Sequence, residues 1–367
     1  MEIKKIVSIV GVRPNFVKLA ALHRFLEKEY NHIIIHTGQH YHYELSRAFF
    51  ECFELPEPDY NLEVGSGTHA YQLGEMVKRI EKVLMKEQPD LVIVYGDCNS
   101  TLAGALAAVK LHIKTAHVEA GYRSFDKKMP EEVNRLLTDA ISDLLFAPTK
   151  TAVRNLKREN TRGRIHLTGD VMVDVLLDYM KIAMEKSRIL KKLNLKPKEY
   201  ITLTFHREEN TEEKRKAQSI VKALLELKEY EFVFPIHPRT KKRLKKFNLL
   251  EKLEKSDNIK IIPPLNYLDF IKLEKNSKKI VTDSGGVQKE AYILGVPCIT
   301  LLLTTGTIET VEEGWNKLVG VSIQKIVNAV KFFNPRNNKP RKALGDGKAA
   351  RRIKKLIDYY ANNIFEL

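Results

Sequence analysis

The chain has 367 residues, about twice the usual domain length, so two domains are expected. Hydrophobic residues make up 43% and charged residues 29%, ordinary globular values that argue against disorder. The formal charge of +16 is lopsided: residues 1–170 carry 23 basic and 22 acidic side chains, and residues 171–367 carry 39 and 24.

Apolar runs and helical periodicity alternate from the start. The pattern predicts strands at 5–10, 33–37, 91–95, 114–118 and 144–147. Between and after them it predicts helices at 14–29, 72–87, 101–111, 133–142 and 151–159, the first with Pro14 in its opening turn. The cadence then restarts. A long helix at 174–193 and the turn Lys196-Pro197-Lys198 lead to strands at 200–204, 232–236, 260–262, 279–282 and 298–301. A final helix is predicted at 347–360. Alternation of this kind predicts an α/β protein of two Rossmann-like, doubly wound parallel sheets facing a cleft. The expected division is 1–170, 171–345, and a terminal segment 346–367 packing back on the first domain.

No apolar run approaches the ~20 residues of a membrane-spanning helix. The opening Met1 to Lys5 has no signal-peptide pattern, so a soluble, cytoplasmic protein is expected. Cys52, Cys98 and Cys298 are odd in number and far apart, which suggests neither a disulfide framework nor a cysteine zinc site. The basic excess, as in Lys241-Lys242-Arg243 and Arg351-Arg352, lies on amphipathic helical patterns without aromatic interleaving. Solvated helix faces are therefore expected there, with no nucleic acid and no membrane as partner. His36, His40 and His42 match no metal-ligand spacing, and no metal is expected.

In doubly wound sheets, ligands gather beyond the C-terminal strand ends. Gly11-Val12-Arg13-Pro14 follows the first strand and opens a helix, placing Arg13 where an anion could sit. G-x-G-x-x-G is absent from the strand–helix junctions, so no nicotinamide cofactor is expected. Asp283-Ser284-Gly285-Gly286 follows a late strand and suits a phosphate, with Glu290 a turn further on for ribose hydroxyls. Asp97 and Glu119 end successive strands, and Glu131 precedes Arg135 on one helix, so carboxylates converging near a cation suggest acid/base chemistry. His206-Arg207 and His237-Pro238-Arg239 end strands of the second half and read as an anion-facing rim.

Together these residues resemble the non-hydrolysing UDP-N-acetylglucosamine 2-epimerases, a family with the two-domain GT-B fold. The resemblance rests on G-x-R-P at 11–14 with Lys18, T-G-Q-H at 37–40, G-D-x-x-S at 96–100, H-V-E-A-G at 117–121 and P-E-E-x-N-R at 130–135. It continues with H-R-x-E-N at 206–210, H-P-R-T at 237–240 and T-D-S-G-G-x-Q-x-E at 282–290. It implies Asp97, Glu119 and Glu131 as catalytic acids, assisted by Arg135 and a cationic His206. It also implies that Arg13, Lys18, His237, Ser284, Gly285, Gly286 and Glu290 hold the UDP-sugar substrate, with Phe270 near uracil. Gln39 and His40 would serve a regulatory UDP-sugar position, and the chain would form a homodimer acting in cell-surface polysaccharide synthesis. One segment departs from the family: Leu302-Leu303-Thr304-Thr305-Gly306-Thr307 stands where an Arg and a Thr-Glu pair are usual, although Glu309 remains.

The implied reaction eliminates UDP to give 2-acetamidoglucal and adds it back, inverting C2 without metal or other cofactor. Alternatives are a 2-epimerase of a UDP-diacetamido-uronic acid, a hydrolysing epimerase, a GT-B glycosyltransferase and a nucleotide-sugar-binding regulator.

Overall fold

The structure is a computed structural model and describes residues 3–39, 53, 55–335 and 341–363. The chain divides into two compact units, one of Met1–Leu177 with Ala343–Leu367, the other of Asp178–Lys342.

The first unit holds seven parallel strands: β1 (Lys5–Val10), β2 (Asn31–His36), β3 (Tyr60–Asn61), β4 (Leu91–Tyr95), β5 (Lys114–Val118), β6 (Leu144–Ala147) and β7 (Arg164–Leu167). Their spatial order is β3-β2-β1-β4-β5-β6-β7. The second holds six: β8 (Tyr200–Thr204), β9 (Glu231–Pro235), β10 (Ile259–Ile262), β11 (Lys279–Thr282), β12 (Cys298–Thr300) and β13 (Asn316–Leu318). Their order is β10-β9-β8-β11-β12-β13, the same winding. Each sheet therefore reverses direction once, between β1 and β4 and between β8 and β11, and such switch points are where doubly wound sheets bind ligands.

Every residue of β4 and β8 is buried. Strands covered on both faces read as continuous apolar runs, which is why the sequence pattern finds them. The three strands it does not predict, β3, β7 and β13, form sheet edges. Their sequences, YN, RIHL and NKL, are short and polar, because an edge strand buries less of itself. The predicted helix at 174–193 is two helices, Val171–Lys186 and Ile189–Lys192. At the break Ser187 Oγ accepts from Ile189 N at 3.3 Å and donates to Asp269 at 2.5 Å, so a side chain replaces a helical backbone bond. The terminal helix Ala349–Asn362 belongs to the first unit. Asp174 accepts Ala349 N at 3.1 Å and Ala350 N at 2.9 Å there, and Lys354 pairs with Glu29 and Asp358. Among the described residues, no helix is long and apolar enough to cross a membrane.

A polar wire crosses the apolar layer over β2, β1 and β4. Glu27 meets His23, His23 Nδ1 meets His32 Nδ1 at 3.0 Å, His32 Nε2 meets Ser8 Oγ at 2.7 Å, and Ser8 Oγ meets the Tyr95 hydroxyl at 2.7 Å. Two histidine nitrogens facing each other share one proton, so the arrangement excludes doubly charged rings. Burial, reinforced by His23, lowers the His32 pKa to about 3. A folded pKa below the unfolded value of ~6.5 contributes stability above that pH and loses it as the pH falls. The urea midpoint should thus drop between pH 7 and pH 5, by up to about 1.4 kcal/mol of stability per pH unit. His32→Asn should flatten that dependence, and an unchanged slope would contradict the assignment.

Candidate functional site

In the first unit the site is built on neighbouring strand ends. Tyr95 of β4 pairs with Val118 of β5, so Asp97 and Glu119, just beyond, start from adjacent positions. Gly96 N donates to Val118 O at 3.0 Å and closes the step between them. Gly96 has φ +70°, and a Cβ there would stand 2.6 Å from Lys18 Nζ and 3.3 Å from Glu119 Oε2, so only glycine fits. Glu119 itself has φ +80°, a left-handed conformation that costs a non-glycine residue about 1–3 kcal/mol. Its carboxylate is gripped by the buried Lys18.

Asp97 pairs with Arg135 at 2.5 Å, and Arg135 also holds Glu132 at 2.8 Å. The convergence of Asp97 on Arg135 is the one the sequence suggested. The helix partner differs: Arg135 takes Glu132, three residues back, while Glu131 is exposed and has no ion pair among the described residues. Glu132 is buried and accepts from Ser124 N, Phe125 N and Ser124 Oγ as well. Burial opposes its charge, but these donors and Arg135 outweigh it and hold the carboxyl below the ordinary range. Glu132 is therefore a clamp on Arg135 rather than a proton donor.

Beneath the turn lies a fully buried network that sequence reasoning missed. His117 Nε2 faces Gly96 O at 2.7 Å and Nδ1 faces Asp139 at 2.6 Å, while Arg123 reaches the other Asp139 oxygen at 2.6 Å. Burial raises the Asp139 pKa, yet His117 and Arg123 together pull it below normal. Asn15 ties the opening turn to the same place, accepting from Gly11 N and donating to Tyr95 O at 2.8 Å. Arg13 begins the helix Arg13–Leu26, and its side chain lies outside the described residues. Gln39 accepts from Ser100 N at 3.1 Å and Ser100 Oγ at 2.7 Å, which puts it beside the helix that follows Asp97. His40, His42 and Cys52 lie outside the described residues, and His36 stacks on Phe16.

In the second unit the switch point carries the other group of residues. Ser284 caps the helix Gly285–Leu294, its Oγ accepting from Val287 N at 3.5 Å. The guanidinium of Arg207 stands 4.0 Å from where a Gly285 Cβ would be, so a cation overlooks a glycine turn at a helix N-terminus, as an anion requires. Asp283, fully buried, accepts His206 N at 3.0 Å, Arg207 N at 3.1 Å and Asn210 Nδ2 at 3.0 Å, lashing the loop after β8 to the turn after β11. Its place at the strand end in T-D-S-G-G was the available signal. The His237 ring lies 5.8 Å from His206, and its Nδ1 accepts Arg239 N at 3.2 Å. Glu290 is buried, and burial pushes its carboxyl up to about 7 against the effect of Tyr267. Phe270 is part-buried on the helix Tyr267–Asn276.

In the ligand-free protein the surroundings of His206 work against a cationic ring. Burial lowers its pKa below the ordinary imidazole value; Asp283 opposes this, and Arg207 and Arg239 add to it. The neutral ring is thus favoured in the ligand-free protein.

Paired Rossmann-like sheets with polar switch points define a GT-B protein. The family model for UDP-N-acetylglucosamine 2-epimerase matches residues 24–358. A UDP-N-acetylglucosamine 2-epimerase homolog of Methanococcus maripaludis is 52% identical over 96% of this chain and 99% of its own. The UDP-2,3-diacetamido-2,3-dideoxy-D-glucuronate 2-epimerase of Pseudomonas aeruginosa is 42% identical over 89% and 91%. The crystal structure of Methanocaldococcus jannaschii UDP-GlcNAc 2-epimerase with UDP-GlcNAc and UDP superposes with a TM-score of 0.89 at 49% identity, covering 97% of this chain and 99% of that one. The chain belongs to the UDP-N-acetylglucosamine 2-epimerase family.

The titration of His206 should have its midpoint below 6.5 in the free protein. It should move upward when UDP is added, because added negative charge favours the imidazolium. NMR of histidine-labelled protein reads both values, and a free-state midpoint above 7 would refute the neutral assignment.

Proposed function

We propose that the protein is a non-hydrolysing epimerase that interconverts UDP-GlcNAc and UDP-ManNAc. The observation that carries this reading is the pair of carboxylates on adjacent strand ends, Asp97 and Glu119, each matched with its own cation. Family membership and the phosphate-type turn at Ser284 support it.

The C2–H of the sugar is not acidic while C1 remains bonded to the diphosphate oxygen. Cleavage of C1–O sends the electron pair to the leaving UDP, and loss of the C2 proton then gives 2-acetamidoglucal. Return of UDP to C1, with protonation of C2 from the other face, yields the epimer. Two faces need two proton-handling groups, a role that suits Asp97 and Glu119, with Glu131 as a third acid. Backbone N–H groups of Gly285 and Gly286, Arg207, and Arg13 at its helix start would offset charge on the departing diphosphate. His206, neutral beforehand, can take up positive charge as that diphosphate develops. Glu290, once ionised, would accept the ribose hydroxyls.

A second reading is favoured by one observation: the segment Leu302 to Thr307 lacks the usual Arg and Glu, and a relative of 42% identity acts on a diacetamido-uronate. Assaying both nucleotide sugars in D₂O separates the two. For UDP-GlcNAc, deuterium should appear at C2 of recovered substrate and product, with no free N-acetylmannosamine. Epimerisation without solvent deuterium would refute the elimination route. Asp97→Asn should abolish the exchange while UDP affinity stays within about threefold, a tolerance of ~0.7 kcal/mol. A tenfold loss of UDP binding would contradict its role.

A further inference from the structure

One fully buried acid has no part in the chemistry above. Glu274 lies on the helix Tyr267–Asn276, and among the described residues no donor reaches either of its oxygens. An ionised carboxyl left unmatched inside the protein is costly, so the group keeps its proton. Lysines on and after its helix are engaged elsewhere: Lys272 donates to Met184 O at 2.6 Å, Lys275 to Leu294 O at 3.0 Å and Lys279 to Val330 O at 2.6 Å.

The charged neighbour of Glu274 is Glu290. Their two helices, Tyr267–Asn276 and Gly285–Leu294, pack together. Burial, with the Glu290 charge added, holds the Glu274 carboxyl far above the ordinary range, so Glu290 is the member that ionises first. Tyr267 and Glu274 are seven residues apart and share one helical face, and Tyr267 favours the charge on Glu290. The other groups that feel Glu274 are Tyr200 of β8 and Cys298 of β12, and neither brings a positive charge. Lys289, beside Glu290, gives Glu274 no hydrogen bond. Lys191 and Lys192, on the short helix that also packs here, are exposed. Two neighbouring acids without a cation carry one charge rather than two.

We propose that Glu274 is a positioning residue for nucleotide binding: kept protonated, it donates a hydrogen bond to the Glu290 carboxylate and holds it ionised for the ribose hydroxyls. The inference rests on the nucleotide-sugar reading above, in which Glu290 accepts those hydroxyls. A buried acid kept neutral is a hydrogen-bond donor, and a bond to an ionised acceptor is the strong kind. It occupies one side of the carboxylate and leaves the rest for the ligand.

Calorimetry with UDP and 2′-deoxy-UDP across neutral and alkaline pH, on the full chain, Glu274→Gln and Glu274→Leu, tests this. The unaltered protein should prefer UDP, and the preference should grow as the pH passes about 7, where Glu290 ionises. Glu274→Gln keeps an N–H donor and should retain that profile within about twofold. Glu274→Leu has no donor, so the rise should come about one pH unit higher, with UDP bound about fivefold more weakly at neutral pH. A Leu profile like that of the unaltered protein, or a Gln profile like that of Leu, would overturn the proposal. If the Leu variant does not fold, infrared spectroscopy decides. Above neutral pH the unaltered protein should show a protonated-carboxyl C=O band that Glu274→Gln lacks, and its absence would also overturn the proposal. Equal binding of UDP and 2′-deoxy-UDP at every pH would remove Glu290 from the ribose, and this inference with it. Failure of the unaltered protein to bind UDP at all would instead sink the nucleotide-sugar reading.

Discussion

The first unit's site depends on one steric constraint, the step from β4 to β5 through Gly96. With Gly96 at φ +70° and Glu119 at φ +80°, the chain turns sharply at both strand ends. Lys18 fills the space a side chain at position 96 would take, and so stands against the Glu119 carboxylate. Strain at Glu119 persists because its surroundings overdetermine it: its N–H bonds to Phe146 O, and the neighbouring turn rests on the buried His117–Asp139 pair. The positions of Asp97 and Glu119 are set in this way by rigid strand ends rather than by a loose loop.

Electrostatic balance differs between the two units. In the first, carboxylates meet cations pair by pair: Glu119 with Lys18, and Asp97 and Glu132 with Arg135. In the second, cationic side chains and backbone N–H groups gather around a turn whose buried anion, Asp283, is spent on backbone hydrogen bonds. Burial lowers the His206 pKa in the free state, with Asp283 opposing and Arg207 and Arg239 adding to the effect, while Arg207 and Arg239 themselves pair with Glu209 and Glu208.

The segment 302–307 departs from the motif pattern on which the resemblance rests. Hydrogen bonds from Thr305 and Asn316 to Gln288 keep the segment in place.

By itself the sequence determined the fold class, because central parallel strands such as Leu91–Tyr95 and Tyr200–Thr204 are buried on both faces and must be apolar throughout. It also located both glycine-bearing turns and their polar flanks, since turn chemistry is local. Edge strands, the break at Ser187 and the partners of individual charges were decided only by tertiary structure. Glu131 and Glu132 are adjacent and identical in type, and only packing sends Glu132 inward to Arg135. Lys18 and Glu119 are 101 positions apart, and Asp283 and His206 are 77 apart. Charge states such as that of His206 follow from burial and from every neighbouring element together, information that no local stretch of residues contains.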